Sequence, residues 1–340
     1  MSEFGHDTSR CVAVLGAGSW GTALALQLAR NDNDVRLWAR DSEAVAILAR
    51  ERENRRYLPD CPFPDALTPE ADMAAAVAAA DDVLVVVPSH ALRETLEALR
   101  GLLRDEQRVI WATKGLEPES ALLPHEVAAE VFGAQRSTAV LSGPSFAGEV
   151  GRGWPTAVTI ASADADFARD MAAAFHDGVF RVYTSDDVVG VGVGGAVKNV
   201  LAIAVGISDG VGYGANARAL LITRGLSEMM RLGHKLGGDR DTFTGMAGLG
   251  DLLLTCTDDQ SRNRRMGLAL AEGADVDSAQ RQIQQVVEGV RVAREVHRIA
   301  TRNGVEMPIA TQAYRVLHEG VSPAEAVRKL TDRPFRSEKD

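Results

Sequence analysis

The chain lacks the features that mark several classes of protein, beginning with cysteine. Its 340 residues include only three cysteines, the widely spaced Cys11, Cys61 and Cys256. This odd number forms neither a disulfide framework nor a metal-ligand pattern, so we expect no metal site and a reducing compartment, the cytoplasm. The first ten residues, MSEFGHDTSR, lack the apolar core of a signal peptide.

A net positive charge is also missing, because 47 acidic residues outnumber 37 basic ones and leave a formal charge of -10. A broad nucleic-acid surface would need a positive face, so we expect no nucleic-acid partner. An acidic protein that binds phosphorylated ligands must attract them with a few local cations and backbone amides.

Long uncharged apolar runs are absent as well. The most apolar stretch, from Val188 to Ile207, contains Lys198, Asn199 and five glycines, which argues against a membrane span and favours a buried helix. What the chain does contain, 46% hydrophobic and 25% charged residues, is typical of globular proteins. Its length favours two domains.

The first half of the chain alternates short apolar runs with helical patterns, which predicts a parallel sheet covered on both faces. The predicted strands are Cys11–Leu15, Val35–Ala39, Val83–Val87, Val109–Ala112 and Thr138–Leu141, with Thr156–Ala161 and Val179–Tyr183 at the far edge. After about Val188 only helical patterns follow, at Val188–Ile207, Ala217–Leu236, Ser261–Glu272, Val287–Asn303 and Pro323–Leu330. We therefore predict an α/β protein with a Rossmann-type doubly wound domain over residues 1–186 and an all-α domain over residues 187–340.

Three glycines lie between the first predicted strand and the helix after it, in the pattern Gly16-x-Gly18-x-x-Gly21. The first would permit a tight turn, the second would let the backbone approach a pyrophosphate, and the third would let the helix pack close to the strand. The helix N-terminus would then offer amides and a partial positive charge to the phosphates. This arrangement predicts a dinucleotide site.

The end of the second predicted strand bears on the choice of cofactor. An acid that binds the ribose is expected about twenty residues after the glycines. Arg40 stands there instead, and its planar cation suits a 2′-phosphate, although the next residue, Asp41, could still reach a ribose hydroxyl. We therefore favour NADPH and leave NADH open.

Two lysines occupy positions that suggest chemistry. Lys114 follows a predicted strand at the edge where such sheets bind ligands, and it could hold a phosphate or a substrate oxygen, or face water. Lys198 lies within the apolar stretch, where a charged amine is costly unless it has a partner or a role. Gly194 and Gly195, one turn earlier, would open space above its ammonium, although the lysine could instead snorkel to the surface.

A second polar group follows further along the chain. Asp251 opens an apolar helix after a Gly-rich turn, where it could orient the buried lysine or simply cap the helix. Ser261 is predicted to cap the next helix, leaving amides free in the first turn. With Arg262 beside them, those amides suit a dianionic phosphate. We interpret Arg264 and Arg265 as a solvated basic face.

Several long segments, in order from Val12 to about Leu317, resemble the bacterial NAD(P)-dependent glycerol-3-phosphate dehydrogenases. They are GAGSWGTALA, VVVPSH, WATKGLE, SGPSFAGE, GGAVKNV, GYGANARALLITRGL, GMAGLGDL and TCTDDQSRNRR. The resemblance implies a Rossmann domain followed by a helical domain, in a cytosolic homodimer. It also implies reduction of dihydroxyacetone phosphate by NAD(P)H to sn-glycerol 3-phosphate, a precursor for phospholipid synthesis.

The resemblance also assigns roles to residues of this sequence. The implied catalytic residues are Lys198, Asp251, Lys114 and Thr255. The implied substrate contacts are Lys114, Gly143, Ser145, Lys198, Asp251, Ser261, Arg262 and Asn263. The implied cofactor contacts are Gly16, Gly18, Ser19, Trp20, Gly21, Arg40, Lys114, Ala147, Arg262, Val286 and Glu288. Trp20 stands where relatives often carry phenylalanine or tyrosine, so an aromatic side chain is retained.

The residues leave two other functions open. A β-hydroxyacid dehydrogenase would share the first two glycines of the turn and a buried lysine followed by asparagine, but would lack the phosphate site at Ser261–Asn263. A dinucleotide-binding regulator without turnover would need the glycine turn, but not Lys114, Lys198 and Asp251 together.

Overall fold

The structure is a computed structural model that describes residues 9–133 and 135–332. These residues divide into two compact units. The first contains an eight-stranded sheet with helices packed against it, and the second is built from helices. The predicted α/β class, with a sheet-containing part followed by a helical one, is confirmed.

Ten strands belong to the first unit. In chain order they are β1 (Cys11–Leu15), β2 (Asp34–Trp38), β3 (Glu53–Asn54), β4 (Leu58–Pro62), β5 (Leu67–Glu70), β6 (Asp82–Val85), β7 (Arg108–Trp111), β8 (Thr138–Ser142), β9 (Thr156–Ala161) and β10 (Phe180–Ser185). The large sheet has the order β10-β9-β8-β7-β6-β1-β2-β5. Its neighbouring strands are parallel except β8 and β9, and β3 pairs with β4 in a separate antiparallel hairpin.

The helices of the first unit are α1 (Ser19–Arg30), α2 (Ser42–Glu51), α3 (Met73–Ala79), α4 (Leu92–Arg100), α5 (Pro124–Phe132), α6 (Ala147–Gly151) and α7 (Ala165–Phe175). Those of the second are α8 (Val188–Gly210), α9 (Ala215–Lys235), α10 (Asp251–Thr257), α11 (Arg262–Ala271), α12 (Val276–Ile283), α13 (Glu288–Arg302), α14 (Pro308–His318) and α15 (Pro323–Thr331). The sequence analysis did not predict α5, α6, α12 or α14.

The strand order places the predicted dinucleotide turn at the carboxyl end of a central strand, β1. β1 pairs with β2 on one side and with β6 on the other, so the direction of winding reverses there. Val12, Ala13, Val14 and Leu15 are all fully buried. Because successive strand residues point to opposite faces, both faces of β1 are covered. Ligands of such sheets bind beyond the carboxyl ends of the strands at the reversal.

The edge strand β5 was missed for a physical reason. Its sequence, LTPE, contains a proline and a glutamate and has no apolar run. It pairs with β2 alone, at the end of the sheet, where proline is tolerated in a strand. The predicted strands at the opposite edge, β9 and β10, are confirmed.

The second unit is organised around α8, in which every side chain from Val193 to Ser208 is buried. Among the described residues, α8 is the one helix with the length and hydropathy to cross a membrane, and 78% of its most apolar window is buried in the structure. The predicted buried helix is confirmed. The segment Lys114–Leu123 also joins this unit, since Leu116 and Leu123 pack into its apolar core.

Candidate active site

Lys198 lies in the middle of α8 and is held by two partners on α10. Its Nζ donates to Asp251 Oδ1 at 2.5 Å and to Thr255 Oγ1 at 2.9 Å. The lysine side chain is only 9% exposed, so it does not snorkel to the surface. The Thr255 hydroxyl in turn donates to the backbone carbonyl of Asp251 at 2.6 Å. Thr255 therefore has a fixed orientation and offers a lone pair to the ammonium.

Asp251 also binds a second lysine. Lys114 Nζ donates to Asp251 Oδ2 at 2.8 Å, so each oxygen of the carboxylate holds one ammonium. The Asp251 side chain is 1% exposed and that of Lys114 is 17% exposed. One anion between two cations leaves one positive charge in excess. Such an excess in a desolvated site suits negative charge that develops on a bound oxygen.

For both Lys198 and Asp251, burial and the oppositely charged partner shift the pKa in opposite directions. Burial lowers the pKa of Lys198 to about 8, because the Asp251 charge offsets only part of the desolvation and Lys114 adds to the lowering. Burial would raise the pKa of Asp251, but the charges of Lys114 and Lys198 outweigh it and keep that pKa below its ordinary value. Lys198 can therefore give up or accept a proton close to neutral pH, as a general acid or base requires.

Gly194 has a different role from the one expected from the sequence. A Cβ at this position would lie 2.5 Å from the carbonyl oxygen of Ala247, so it opens no ligand space. Ala247 belongs to the π-helical turn Met246–Gly250 that leads directly into Asp251. Gly194 therefore lets this turn pack against α8, which brings Asp251 to the level of Lys198.

The first turn of α11 lies near the QVVEG segment. Ser261 caps the helix as predicted, because its Oγ accepts the backbone N–H of Arg264 at 3.2 Å. The Arg262 Nη1 donates to the carbonyl of Val286 at 3.0 Å, while the arginine remains exposed. First-turn amides have no carbonyl partner within their own helix and Ser261 binds only that of Arg264, so this end combines backbone donors with a guanidinium. Both suit a phosphate.

Asn263 connects three helices. Its Nδ2 donates to Asn199 Oδ1 at 2.8 Å, and its Oδ1 accepts the backbone N–H of Gly289 on α13 at 3.0 Å. Asn199 follows Lys198 on α8 and is buried. No pattern in the sequence indicates a role for Asn199, since only the fold brings it to Asn263.

The three glycines in the turn after β1 are not all required for the same reason. Gly16 has φ +122°, and a Cβ there would lie 2.4 Å from the carbonyl oxygen of Val86. A Cβ on Gly21 would lie 1.8 Å from the Gly16 carbonyl oxygen. By contrast, a Cβ on Gly18 would meet no atom of the described chain within 4 Å. The packing of the chain itself therefore requires Gly16 and Gly21 but gives no reason for Gly18, which fits a backbone that a ligand approaches.

The other residues expected at the cofactor lie close to this turn or to the end of β2. Ser19 and Trp20 begin α1, and Trp20 packs partly against the apolar core of the first unit. Arg40 is exposed after β2. The Asp41 carboxylate caps α2 by accepting the backbone N–H groups of Glu43 and Ala44.

A second loop at the carboxyl ends of the strands follows β8. Gly143 has φ +150°, and a Cβ there would lie 2.8 Å from Val158 Cα. The Ser145 hydroxyl donates to the Gly143 carbonyl at 2.9 Å, and Ala147 begins α6. This loop is tightly built in the first unit, whereas both lysines belong to the second.

Comparison with known proteins decides which family this architecture represents. The family model for the NAD-dependent glycerol-3-phosphate dehydrogenase N-terminus matches residues 11–168, and the model for its C-terminus matches residues 187–328. The glycerol-3-phosphate dehydrogenase (NAD(P)+) of Pseudoalteromonas translucida is 57% identical over 328 residues, which cover 96% of this chain and 98% of that protein. The chain belongs to this family.

Two further comparisons agree. The glycerol-3-phosphate dehydrogenase (NAD(P)+) of Alkalilimnicola ehrlichii is 57% identical over 326 residues, covering 96% of this chain and 98% of that protein. The crystal structure of glycerol-3-phosphate dehydrogenase from Coxiella burnetii has a TM-score of 0.92 at 50% identity and covers 96% of this chain and 99% of that one. As a glycerol-3-phosphate dehydrogenase, the chain is an NAD(P)-dependent oxidoreductase. The predicted family and enzyme class are confirmed, and the two alternative functions are set aside.

The site residues predicted for this glycerol-3-phosphate dehydrogenase fall into two sets. Those in the second unit are Lys114, Lys198, Asp251, Thr255, Ser261, Arg262, Asn263, Val286 and Glu288. Those in the first are Gly16, Gly18, Ser19, Trp20, Gly21, Arg40, Gly143, Ser145 and Ala147. Within the second set, the four expected catalytic residues are in direct contact.

One interpretation from the sequence is wrong. Arg264 does not belong to a solvated basic face, because it is buried and only 8% exposed, whereas its neighbour Arg265 is exposed. A run of basic residues carries no signal that separates one buried arginine from an exposed neighbour. The carboxylates that hold Arg264 reach it only in the folded chain.

Proposed function

We propose that this glycerol-3-phosphate dehydrogenase works mainly as a reductase, converting dihydroxyacetone phosphate to sn-glycerol 3-phosphate. The observation that carries the proposal is the buried Lys114–Asp251–Lys198 cluster with its excess positive charge. In the reduction, the carbonyl oxygen of the substrate becomes negative and takes up a proton. A protonated Lys198 can supply both the charge and the proton.

The roles of the cluster follow from its geometry. Lys198 donates its proton to the developing alkoxide, while Asp251 and Thr255 hold the amine in place. Lys114 is the more exposed cation and contacts the substrate or the cofactor. The neutral Lys198 amine that remains regains a proton from solvent before the next turnover, and this is feasible because its pKa is near 8.

The proposed phosphate site is the first turn of α11. Ser261, Arg262 and the free amides bind the substrate dianion, with Asn263 linking this turn to α8. Binding at the phosphate orients a ketone that lies elsewhere on the substrate, so that binding energy is used for orientation. Gly143 and Ser145 contribute further substrate contacts from their loop.

The first unit is proposed to hold the dinucleotide. The open space at Gly18 and the N-terminus of α1 fit a pyrophosphate, with Gly16, Gly21, Ser19 and Trp20 completing the turn. When bound, the reduced nicotinamide supplies the hydride. Ala147, Arg262, Val286 and Glu288 are proposed as further cofactor contacts.

We propose that NADPH is preferred over NADH. Arg40 is exposed at the end of β2, where its guanidinium can pair with a 2′-phosphate. The neighbouring acid, Asp41, already accepts two backbone hydrogen bonds as the cap of α2, so one of its oxygens is not available to a ribose.

The setting of the enzyme is proposed from the same family resemblance. We propose a cytoplasmic homodimer that supplies glycerol 3-phosphate for phospholipid synthesis. The acidic charge of -10 is consistent with a small-molecule substrate and no nucleic-acid partner.

The test is a steady-state assay of nicotinamide oxidation with purified protein. We expect fast oxidation of NADPH with dihydroxyacetone phosphate, slower oxidation of NADH, and little turnover of unphosphorylated dihydroxyacetone, which is the matched control. Equal rates with and without the phosphate group would overturn the α11 site. A higher kcat for glycerol 3-phosphate oxidation than for the reduction, with both measured at pH 7 and saturating substrates, would overturn the proposed direction.

A further inference from the structure

Arg264 is a buried guanidinium within the turn that is proposed to bind phosphate. Its Nη2 donates to Asp209 Oδ2 at 2.8 Å, and its Nη1 donates to the carboxylate of Asp259 in the preceding loop. Its backbone N–H is the group that Ser261 caps. The side chain of Arg264 thus joins the start of α11 to a carboxylate on another helix.

That carboxylate lies on the helix that carries the proton donor. Asp209 is in the last turn of α8, about three helical turns after Lys198, and its side chain is 6% exposed. It also accepts two hydrogen bonds, both at 3.1 Å, from the Nε of Arg218 in the first turn of α9. Asp209 therefore holds the ends of three helices.

Beside this ion pair, the backbones of α8 and α11 are in contact. A Cβ on Gly206 would lie 2.1 Å from the carbonyl oxygen of Arg264, and a Cβ on Gly267 would lie 2.2 Å from that of Ile203. The glycines set the distance between the two helices. The Asp209–Arg264 ion pair, together with the Asn199–Asn263 hydrogen bond, joins the helices at two levels of α8 and so limits their sliding and rotation.

The charges of the four linked side chains cancel, and this limits the roles that they can have. Arg218 and Arg264 contribute two positive charges, and Asp209 and Asp259 contribute two negative ones. With a net charge of zero, the group adds little attraction for a phosphate dianion. Buried ion pairs are also weak sources of stability, since desolvation costs about as much as the pairing returns. The role that remains for these side chains is to hold the helices in a fixed arrangement.

We infer that Asp209 and Arg264 are positioning residues for catalysis. They hold the first turn of α11, with Ser261 and Arg262, at a set distance along α8 from Lys198. The proposed phosphate site and the proposed proton donor are then kept at a constant separation. This inference rests on the proposed function, in which α11 binds the phosphate and Lys198 gives the proton.

The experiment compares Asp209→Asn with the wild-type enzyme on two substrates. Asparagine keeps the size of the side chain and removes the charge that orients Arg264. We expect kcat/KM for dihydroxyacetone phosphate to fall about ten- to hundredfold, mostly through KM, as a small misplacement produces. We expect kcat/KM for unphosphorylated dihydroxyacetone, and the Kd for NADPH, to change less than twofold. A purely structural role would lower kcat/KM for both substrates and raise the Kd for NADPH.

Two further variants keep the test decisive. Arg265→Met removes the exposed neighbour in the same basic run and is expected to behave as wild type. The apolar pair Asp209→Leu with Arg264→Met should fold, because apolar replacement of a buried pair is often tolerated. We expect it to retain the selective loss with the phosphorylated substrate.

Each outcome has one meaning. If wild type turns over dihydroxyacetone phosphate and the Asp209 variants match it, the positioning role is wrong. An equal loss on both substrates in the folded double variant also overturns it. If wild type itself fails to reduce dihydroxyacetone phosphate, the proposed function fails, independently of these variants.

Discussion

At the scale of single residues, Asp251 controls the chemistry of the second unit. Its two oxygens hold two lysines, and its charge keeps the pKa of Lys198 from falling below about 8 despite the burial of that side chain. An isolated buried lysine would lose its proton more readily. The carboxylate thus favours protonated Lys198 at pH 7, which is the form that the proposed reduction needs.

The pH dependence of the two directions should therefore be opposite. Reduction needs protonated Lys198, which is present below about pH 8, so kcat/KM for dihydroxyacetone phosphate should fall as the pH rises through about 8. Oxidation of glycerol 3-phosphate needs the neutral amine, so its kcat/KM should rise through the same pH. Initial rates in both directions across this range provide the measurement.

The control for that experiment is Lys198→Ala, which should lose turnover by about 10²- to 10⁴-fold and keep its affinity for NADPH. Profiles that fall together in both directions, or near-normal turnover of the alanine variant, would show that another group transfers the proton.

A second prediction at this scale concerns Gly18. The packing of the turn requires glycine at positions 16 and 21 but not at position 18. Gly18→Ala should leave the melting temperature unchanged and raise the KM for NADPH about tenfold or more, because its Cβ faces open space where a pyrophosphate would approach. Gly21→Ala is the contrasting variant and should lower the melting temperature, since its Cβ would overlap the Gly16 carbonyl. Thermal unfolding and cofactor titration separate the two effects, and a strongly destabilised Gly18 variant would contradict this explanation.

At the scale of elements, the close contact between α8 and α11 supports the turn that is proposed to bind the substrate. Gly206 and Gly267 allow backbone to meet backbone, and the Asp209–Arg264 pair is proposed to hold the register. The same device recurs where Gly194 admits the turn that leads into Asp251. In both places a glycine in a helix, although a poor helix former, is required by a neighbouring segment.

We expect Gly206→Ala to lower the free energy of unfolding by about 1–3 kcal/mol, because its Cβ would force the two helices apart. Gly101→Ala is the matched control, since this glycine has φ -82° and no atom lies within 4 Å of a Cβ placed there. Its effect should stay within about 0.5 kcal/mol. Urea denaturation of both variants measures the difference, and equal values would mean that the helices can separate without cost.

At the scale of the whole molecule, each unit has its own apolar core, and the chain crosses between the units more than once. The segment Lys114–Leu123 belongs to the helical unit although sheet strands precede and follow it in the sequence. This crossing is what brings Lys114 to Asp251, and no pattern in the sequence predicts it.

The proposed homodimer is a prediction at this scale. Light scattering on the purified protein should give a mass of about twice the 36.3 kDa of the chain. The mass should stay the same over a range of protein concentrations. A mass of one chain at assay concentrations, with full activity, would contradict the dimer.

Most of the fold could be predicted from the sequence, because buried parallel strands and a buried helix need unbroken apolar runs. β1, β9 and α8 carry such runs and were predicted on that ground. β5 and α14 carry weaker patterns, and their positions depend on the elements they pack against. Ser261 was predicted as a helix cap because capping is a local interaction.

By itself, the sequence determined the family, and it predicted the dinucleotide turn and the two lysines proposed to act in catalysis, because these depend on residue types at short spacing. Only the tertiary structure decided that Asp251 binds both lysines, that Asn199 meets Asn263, and that Arg264 is buried against Asp209. Each of these contacts joins residues more than fifty positions apart. Such contacts arise from the way in which helices pack, and the pattern that predicts each helix does not say which other helix it will meet.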